Sequence, residues 1–244
     1  MRVAPAEIVR TLAAGHRPAN VHIAWSDVIW NVPAATDPQG TPLLLVPDDG
    51  RLADCLRQTD GLDAAVALRF DDEPPLPCAP WLGSGWVSGW AEPVPAAEQR
   101  ATALRFHDAN PLPRLLDVGH GVTLWTVDVA EVRLEYGERV TVVEPEQYAA
   151  AEPDPLYPIE VELLLDLFDH HPEVIAALTH RVRHVIADAA RVIPLRINRH
   201  GVIADVHRAD HPDPRRCFIR HRGSAANLRE VLHDLACCDC APRS

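Results

Sequence analysis

The strongest concentration of chemically active side chains lies in the segment 199–222. It contains six arginines, three aspartates and four histidines, so its formal charge is +3, whereas the whole chain of 244 residues carries −12. Guanidinium groups bind carboxylates and phosphates through paired hydrogen bonds, and neutral imidazoles bind metal ions. The segment therefore predicts a site for an anionic ligand that an imidazole could also contact. The candidate ligand-binding residues are His200, His207, Arg215, Arg216 and His221.

Strand periodicity divides the residues 216–222 between two faces, because alternate side chains of a strand point to opposite sides of the sheet. One face carries Cys217, Ile219 and His221, and the other carries Phe218, Arg220 and Arg222. An imidazole beside an isoleucine could contact a ligand above an apolar floor, while arginines at the strand ends bind its carboxylates. The alternative is a solvated hairpin whose arginines pair with the acidic N-terminal part of the chain, since clusters of charge are usually surface.

Two further clusters contain metal-binding residue types without the spacing of a metal site. His180 and His184 are four residues apart on a predicted helix, but no carboxylate or cysteine completes a ligand set. Cys237, Cys238 and Cys240 have no second cysteine pair, and adjacent cysteines rarely share one tetrahedral metal. We therefore predict no bound metal at either cluster.

The segment 81–90 combines three tryptophans with three glycines. Such a segment could stack a ligand on an indole, but tryptophans around a small barrel also form core or a dimer interface. The glycines further predict a bulge or bend in this strand. No nucleophile elbow, zinc-protease motif or pair of catalytic carboxylates occurs in the sequence, and we predict no catalytic residue.

Two kinds of structure must position these residues. The first 145 residues contain about six strand-like runs and short helices, which is typical of a small β-barrel. The proline- and acid-rich segment 146–158 indicates a linker. Residues 159–236 combine two helices, three strands and a closing amphipathic helix, and the cysteine-rich tail covers 237–244. We predict an α+β protein: an N-terminal β-barrel followed by a small α+β domain of helices and a three-stranded antiparallel sheet.

Several motifs resemble a family of actinobacterial proteins. They are Gly85–Val94, Glu98–Leu104, Leu115–Gly121, Ala151–Leu156, Leu163–His171, Pro194–Val202 and Arg215–Phe218. In this family a flavin-reductase-like (pyridoxamine-phosphate-oxidase-like) split barrel precedes a C-terminal domain that also closes the haem-utilisation (HugZ-like) proteins. The resemblance implies an N-terminal split β-barrel with an FMN-binding-like fold, and a homodimer paired through barrel faces.

The same resemblance makes haem, or another tetrapyrrole, the best candidate ligand. Two propionates would suit the arginines of the segment 199–222, and iron would suit a histidine. Split-barrel oxidases bind the FMN phosphate with clustered arginine, lysine and serine residues. The first 150 residues show no such cluster, so we do not expect FMN to be bound.

Charge and hydropathy exclude several classes of partner. An acidic chain without a single lysine is a poor match for nucleic acid or an anionic membrane surface. The longest apolar runs are far shorter than the ~20 residues of a membrane span. The first residues lack the apolar segment of an export signal, so we expect a cytoplasmic protein with reduced cysteines.

These patterns favour a non-catalytic or weakly catalytic ligand-binding protein. One alternative is an enzyme, either an FMN-dependent oxidoreductase or a haem-degrading oxygenase. The other is a dimeric interaction scaffold without a ligand. Colour distinguishes them, because flavin is yellow, bound haem gives a Soret band and a scaffold is colourless.

Overall fold

The structure is a computed structural model, and it describes residues 3–58, 64–221, 223 and 225–236. The chain forms two compact units. Unit 1 consists of Met1–Asp72 and Leu82–Pro153, and unit 2 consists of Glu73–Trp81 and Asp154–Ser244. The cysteine-rich tail 237–244 and Arg222 lie outside the described residues.

The described part of unit 1 contains eight strands and four α-helices. The strands are β1 (Ala19–Ile23), β2 (Ile29–Val32), β3 (Ala34–Thr36), β4 (Pro42–Pro47), β5 (Ala64–Asp71), β6 (Ser84–Pro93), β7 (Val122–Tyr136) and β8 (Arg139–Val143). The helices are α1 (Pro5–Leu12), α2 (Arg51–Arg57), α3 (Gln99–Ala109) and α4 (Pro145–Ala150). A 3₁₀ turn covers Pro113–Asp117.

The eight strands form one curled antiparallel sheet. Seven of them follow the order β2-β1-β5-β6-β7-β4-β3, and β8 pairs with β7 outside this order. Strand β7 pairs with β6 along one edge and with β4 and then β8 along the other. The two outermost strands of this order, β2 and β3, are separated in the chain only by Pro33. The sheet must therefore curl until its two ends lie close together. In β5, alternate residues from Ala64 to Phe70 are buried, which directs one face of the sheet to the core.

The sheet is irregular at the glycine-rich strand, but the bulge predicted for that strand lies in its partner β7. The register between β6 and β7 shifts after Ser88, and Ala130 is the extra residue, so the bulge belongs to β7. A Cβ on Gly89 would overlap the carbonyl oxygen of Asp128. Glycine at this position therefore permits the close approach of two backbones.

The segment 146–158, which we predicted as a linker, begins inside helix α4 of unit 1. Tyr148 of this helix is fully buried, and the guanidinium carbon of Arg10 lies 5.5 Å from the centre of its ring. Arg10 donates a 2.6 Å hydrogen bond to the carbonyl oxygen of Asp37. Pro145, directly before this segment, therefore begins a packed helix, and the segment from Asp154 onward belongs to unit 2.

Unit 2 contains the predicted three-stranded antiparallel sheet, in the order β11-β10-β9. Its elements are α5 (Glu160–His170), α6 (Pro172–Arg183), β9 (Ala189–Asn198), β10 (Gly201–Arg208), β11 (His211–Arg220) and α7 (Leu228–Ala236). Alternate residues of β10 from Val202 to Val206 are buried in one apolar cluster with leucines of α5 and α6, such as Leu164 and Leu178. One face of the sheet therefore packs on helices, and we call it the helix-facing side.

Residues Asn198–Gly201 form the turn between β9 and β10. The Asn198 Oδ1 atom accepts hydrogen bonds from the backbone N–H groups of His200, at 2.9 Å, and Gly201, at 3.0 Å. The carboxylate of Asp154 accepts from the N–H of Arg199. A short polar side chain therefore holds the turn through backbone donors, as asparagine commonly does.

Candidate functional site

The five candidate residues lie at two places in unit 2. His200 is in the β9–β10 turn, and its carbonyl oxygen accepts a 2.9 Å hydrogen bond from the N–H of His221. His207 is seven residues further along, which corresponds to about 23 Å of strand at ~3.3 Å per residue. Arg215 and Arg216 pair with the part of β10 that precedes His207. His200 and His221 therefore lie at one end of the sheet, and Arg215 and Arg216 lie towards the other end, near His207. The five residues do not converge on one point.

Arg216 is bound to a carboxylate of its own sheet. Its Nε and Nη2 atoms donate to the two carboxylate oxygens of Asp205 at 2.9 and 3.0 Å. Nη2 also donates to the carbonyl oxygen of Cys78 at 3.2 Å. Asp205 alternates with the buried residues of β10, so this ion pair is on the side away from the helices. Arg215 and Arg216 point to opposite faces of the sheet because they are adjacent in a strand, and their joint contact with a ligand stays a prediction.

Cys217 and Ile219 share a face, as alternation predicts, but that face packs on the core of unit 2. Ile219 is buried and Cys217 is half-buried against the apolar cluster that α5 and α6 contribute to. His221 is only 8% exposed. The apolar floor that we expected beneath a ligand at His221 is therefore occupied by the protein's own helices.

A cleft of about 460 Å³ lies between helix α6 and strand β11. Its lining comprises Arg181, Val182, Val185, Ile186 and Arg215–Arg220. We call it the arginine cleft, because every charged residue in this lining is an arginine. Its volume lies within the ~300–1,000 Å³ that small-molecule sites usually have.

Two arginines of this cleft, Arg215 and Arg220, have charges that no ion pair among the described residues neutralises. Arg215 is on the helix-facing side, because it is the cross-strand partner of buried Val206. Within the described residues, neither Arg215 nor Arg220 forms an ion pair, and both are exposed. Arg181 donates a 2.6 Å hydrogen bond from Nη2 to the carbonyl oxygen of Arg220, which links α6 to the end of β11. The rim of the cleft is therefore positive and suited to carboxylates or phosphates.

The remaining lining of the cleft is largely apolar. Val182, Ile186 and Ile219 belong to the buried cluster of unit 2, whereas Val185 is 87% exposed and Phe218 is 36% exposed. An exposed valine and phenylalanine beside unneutralised guanidinium groups form an amphipathic surface. Such a surface suits a ligand with an apolar body and anionic ends.

Sequence reasoning missed the contribution of α6 to this site. Arg181 and Val185 are four residues apart, so helical periodicity already places them on one face. Arg181 lies outside the segment 199–222, however, and no local sequence pattern indicates that the end of α6 lies near β11. That neighbourhood required the tertiary structure.

Unit 1 offers two other clefts. One, of about 540 Å³, is bordered by Trp90 and by the acidic residues Glu92, Asp128 and Glu146. The other, of about 330 Å³, lies on the sheet between His22 and Trp90 above small residues. Neither has an arginine among its described lining residues, so neither presents the positive rim found in unit 2.

The other sequence candidates occupy varied places. The rings of His180 and His184 lie 5.3 Å apart, edge to face, and within the described residues no group of three histidine, cysteine or acidic side chains is arranged to hold a metal. Trp86 is half-buried, with its ring 5.5 Å from the guanidinium carbon of Arg69. Trp90 is 46% exposed. In the described part of the chain, no helix has the length and apolar character that crossing a membrane requires.

Comparisons with known proteins establish the fold but no family. No family model matches the chain, and the curated proteins give no match. A solved haem-binding protein from Mycobacterium smegmatis is similar over 97% of both chains, with 21% identity and a TM-score of 0.71. An FAD- and haem-binding protein from the same organism shares 12% identity over 56% of this chain and 80% of its own, with a TM-score of 0.39. Only the first similarity is close enough to show a common fold.

Proposed function

We propose that this chain is a non-catalytic or weakly catalytic ligand-binding protein, and that its ligand is haem or another tetrapyrrole. The observation that carries the proposal is the arginine cleft: its described lining combines Arg215 and Arg220, which form no ion pair among the described residues, with exposed Val185 and Phe218. A tetrapyrrole with propionate groups has the matching chemistry, an apolar macrocycle with carboxylates at one edge. Each carboxylate–guanidinium contact contributes about 1.5–3 kcal/mol.

The fold supports the same ligand class. A protein described as haem-binding has this fold over 97% of both chains. We further propose that the curled sheet of unit 1 is a split barrel of the FMN-binding type, used here as a scaffold. In the proposal the protein is cytoplasmic, forms a homodimer through barrel faces and binds no FMN. The dimer is supported by exposed apolar side chains of unit 1 such as Trp90 and Val142, which are 46% and 63% exposed.

The absorption spectrum of the purified full-length chain, before and after titration with haem, tests the proposed function. We expect the Soret band to shift and saturate at one equivalent per chain, with a dissociation constant in the micromolar range or below. A flavin band at one equivalent would instead support the FMN-dependent alternative. A spectrum of free haem throughout the titration would contradict the proposal and leave the scaffold interpretation.

A further inference from the structure

We infer that the arginine cleft recognises its ligand through carboxylates and an apolar body, so that metal-free porphyrins bind as well as haem does. This inference rests on the proposed function and deepens it. It concerns the chemical class of the ligand, namely amphipathic dicarboxylates, whether or not they contain a metal.

The first support is the composition of the rim. The charged residues of the lining are Arg181, Arg215, Arg216 and Arg220, and no acidic side chain is among the described lining residues. Arg216 has its carboxylate in Asp205, at 2.9 and 3.0 Å. Arg215 and Arg220 form no ion pair among the described residues, and guanidinium groups bind carboxylates with forked geometry and do not coordinate iron.

The second support is the position of the histidines. His221 is 8% exposed, and its strand face packs on the core cluster that includes Ile219. His200 lies in the β9–β10 turn, and His207 belongs to the side of β10 that faces away from the helices. None of the three is among the described lining residues of the cleft. The contacts that the cleft supplies are therefore ionic and apolar.

The third support is the orientation of Arg215. It lies opposite Val206, on the helix-facing side, and exposed Val185, two residues beyond the end of α6, also borders the cleft. Its neighbour Arg216 points to the other side and is paired there. Arg191, an exposed arginine of strand β9 outside the described lining of the cleft, provides a control with the same charge on the same sheet.

The experiment compares three probes with the full-length chain: haem, metal-free protoporphyrin IX and protoporphyrin dimethyl ester. Binding is followed by porphyrin absorbance at a fixed, low fraction of dimethyl sulfoxide. We expect haem and protoporphyrin IX to bind with dissociation constants within about threefold of each other. The ester should bind at least tenfold more weakly, which corresponds to about 1.4 kcal/mol.

Variants locate the site. Arg215→Gln combined with Arg220→Gln should weaken the binding of both free acids at least tenfold, whereas Arg191→Gln, outside the described lining of the cleft, should change it less than twofold. Circular dichroism spectra and melting temperatures of the variants show that each is folded. Equal binding by the double variant and the wild type would place the ligand elsewhere and overturn the inference.

The remaining outcomes separate this inference from the proposed function. If haem binds but protoporphyrin IX does not, iron coordination is required, so the inference is wrong while the proposed function stands. If the ester binds as tightly as the free acid, carboxylate recognition is excluded. If none of the three probes binds the wild type, the proposed function itself is overturned.

Discussion

Removing the negative charge of Glu160 tests how far unit 2 depends on one buried ion pair. The side chains of Arg196 and Glu160 are 2% and 6% exposed, and Arg196 Nη2 lies 2.7 Å from Glu160 Oε2. Arg196 Nε donates to Oε1 at 3.2 Å, and the backbone N–H of Ile197 donates to the same atom at 2.8 Å. The substitution Glu160→Gln keeps the shape of the side chain but leaves the guanidinium group without its counterion.

The structure sets the size of the expected loss. Removing one partner of a buried ion pair usually costs about 3–5 kcal/mol. We expect the lower end, about 3 kcal/mol, because Arg196 retains a 3.1 Å hydrogen bond to the carbonyl oxygen of Pro80. It also retains the ring of Tyr157, 6.0 Å from its guanidinium carbon. A loss of this size is a large share of the ~5–15 kcal/mol that stabilises a typical domain.

Urea unfolding with hydrogen exchange read out on β9 and β10 measures this loss within unit 2. Glu162→Gln is the matched control, because Glu162 is an exposed residue of the same helix, and we expect it to change stability by less than about 0.5 kcal/mol. Replacing both partners, with Glu160→Leu and Arg196→Met, should restore only part of the stability, because the backbone N–H of Ile197 then loses its acceptor. If Glu160→Gln unfolds within 0.5 kcal/mol of the wild type, roughly the variation of surface substitutions, the reasoning is refuted.

Three further predictions concern other elements. Gly89→Ala should lower the free energy of unfolding of unit 1 by about 2 kcal/mol in a urea titration, because the added Cβ would meet the carbonyl oxygen of Asp128. Burial raises the pKa of Tyr148 above its usual 10.0. Its contribution to the free energy of unfolding should therefore be complete below pH 10 and fall as the pH rises further. Absorbance at 295 nm should show an ionisation at high pH that the variant Tyr148→Phe lacks. Asn198→Ala removes two turn hydrogen bonds and should cost about 1–2 kcal/mol by thermal melting, whereas an unchanged melting temperature would contradict the role of its Oδ1 atom.

The sequence by itself determined the kinds of elements and their order. Alternation along Ala64–Asp71 predicts a half-buried strand, and the polar sequence Asn198–Gly201 predicts a turn, and both are present. The glycines of the segment 81–90 indicate a bulge, because a residue without a Cβ lets the backbone bend or approach a neighbouring strand closely. The sequence could not show that the extra residue is Ala130 of β7, because the register of a strand pair depends on both strands.

Only the tertiary structure decided which residues of the basic segment remain available to a ligand. Alternation correctly separated Cys217 from Arg216, but it is symmetric between the two faces of a strand and does not show which face the helices cover. The partner of Arg216, Asp205, follows from the register of β10 and β11, and the contribution of Arg181 follows from the packing of α6 beside β11. These are contacts between residues far apart in the chain. Local periodicity carries no information about them, because burial and charge neutralisation are properties of the packed surface and not of the segment that contributes to it.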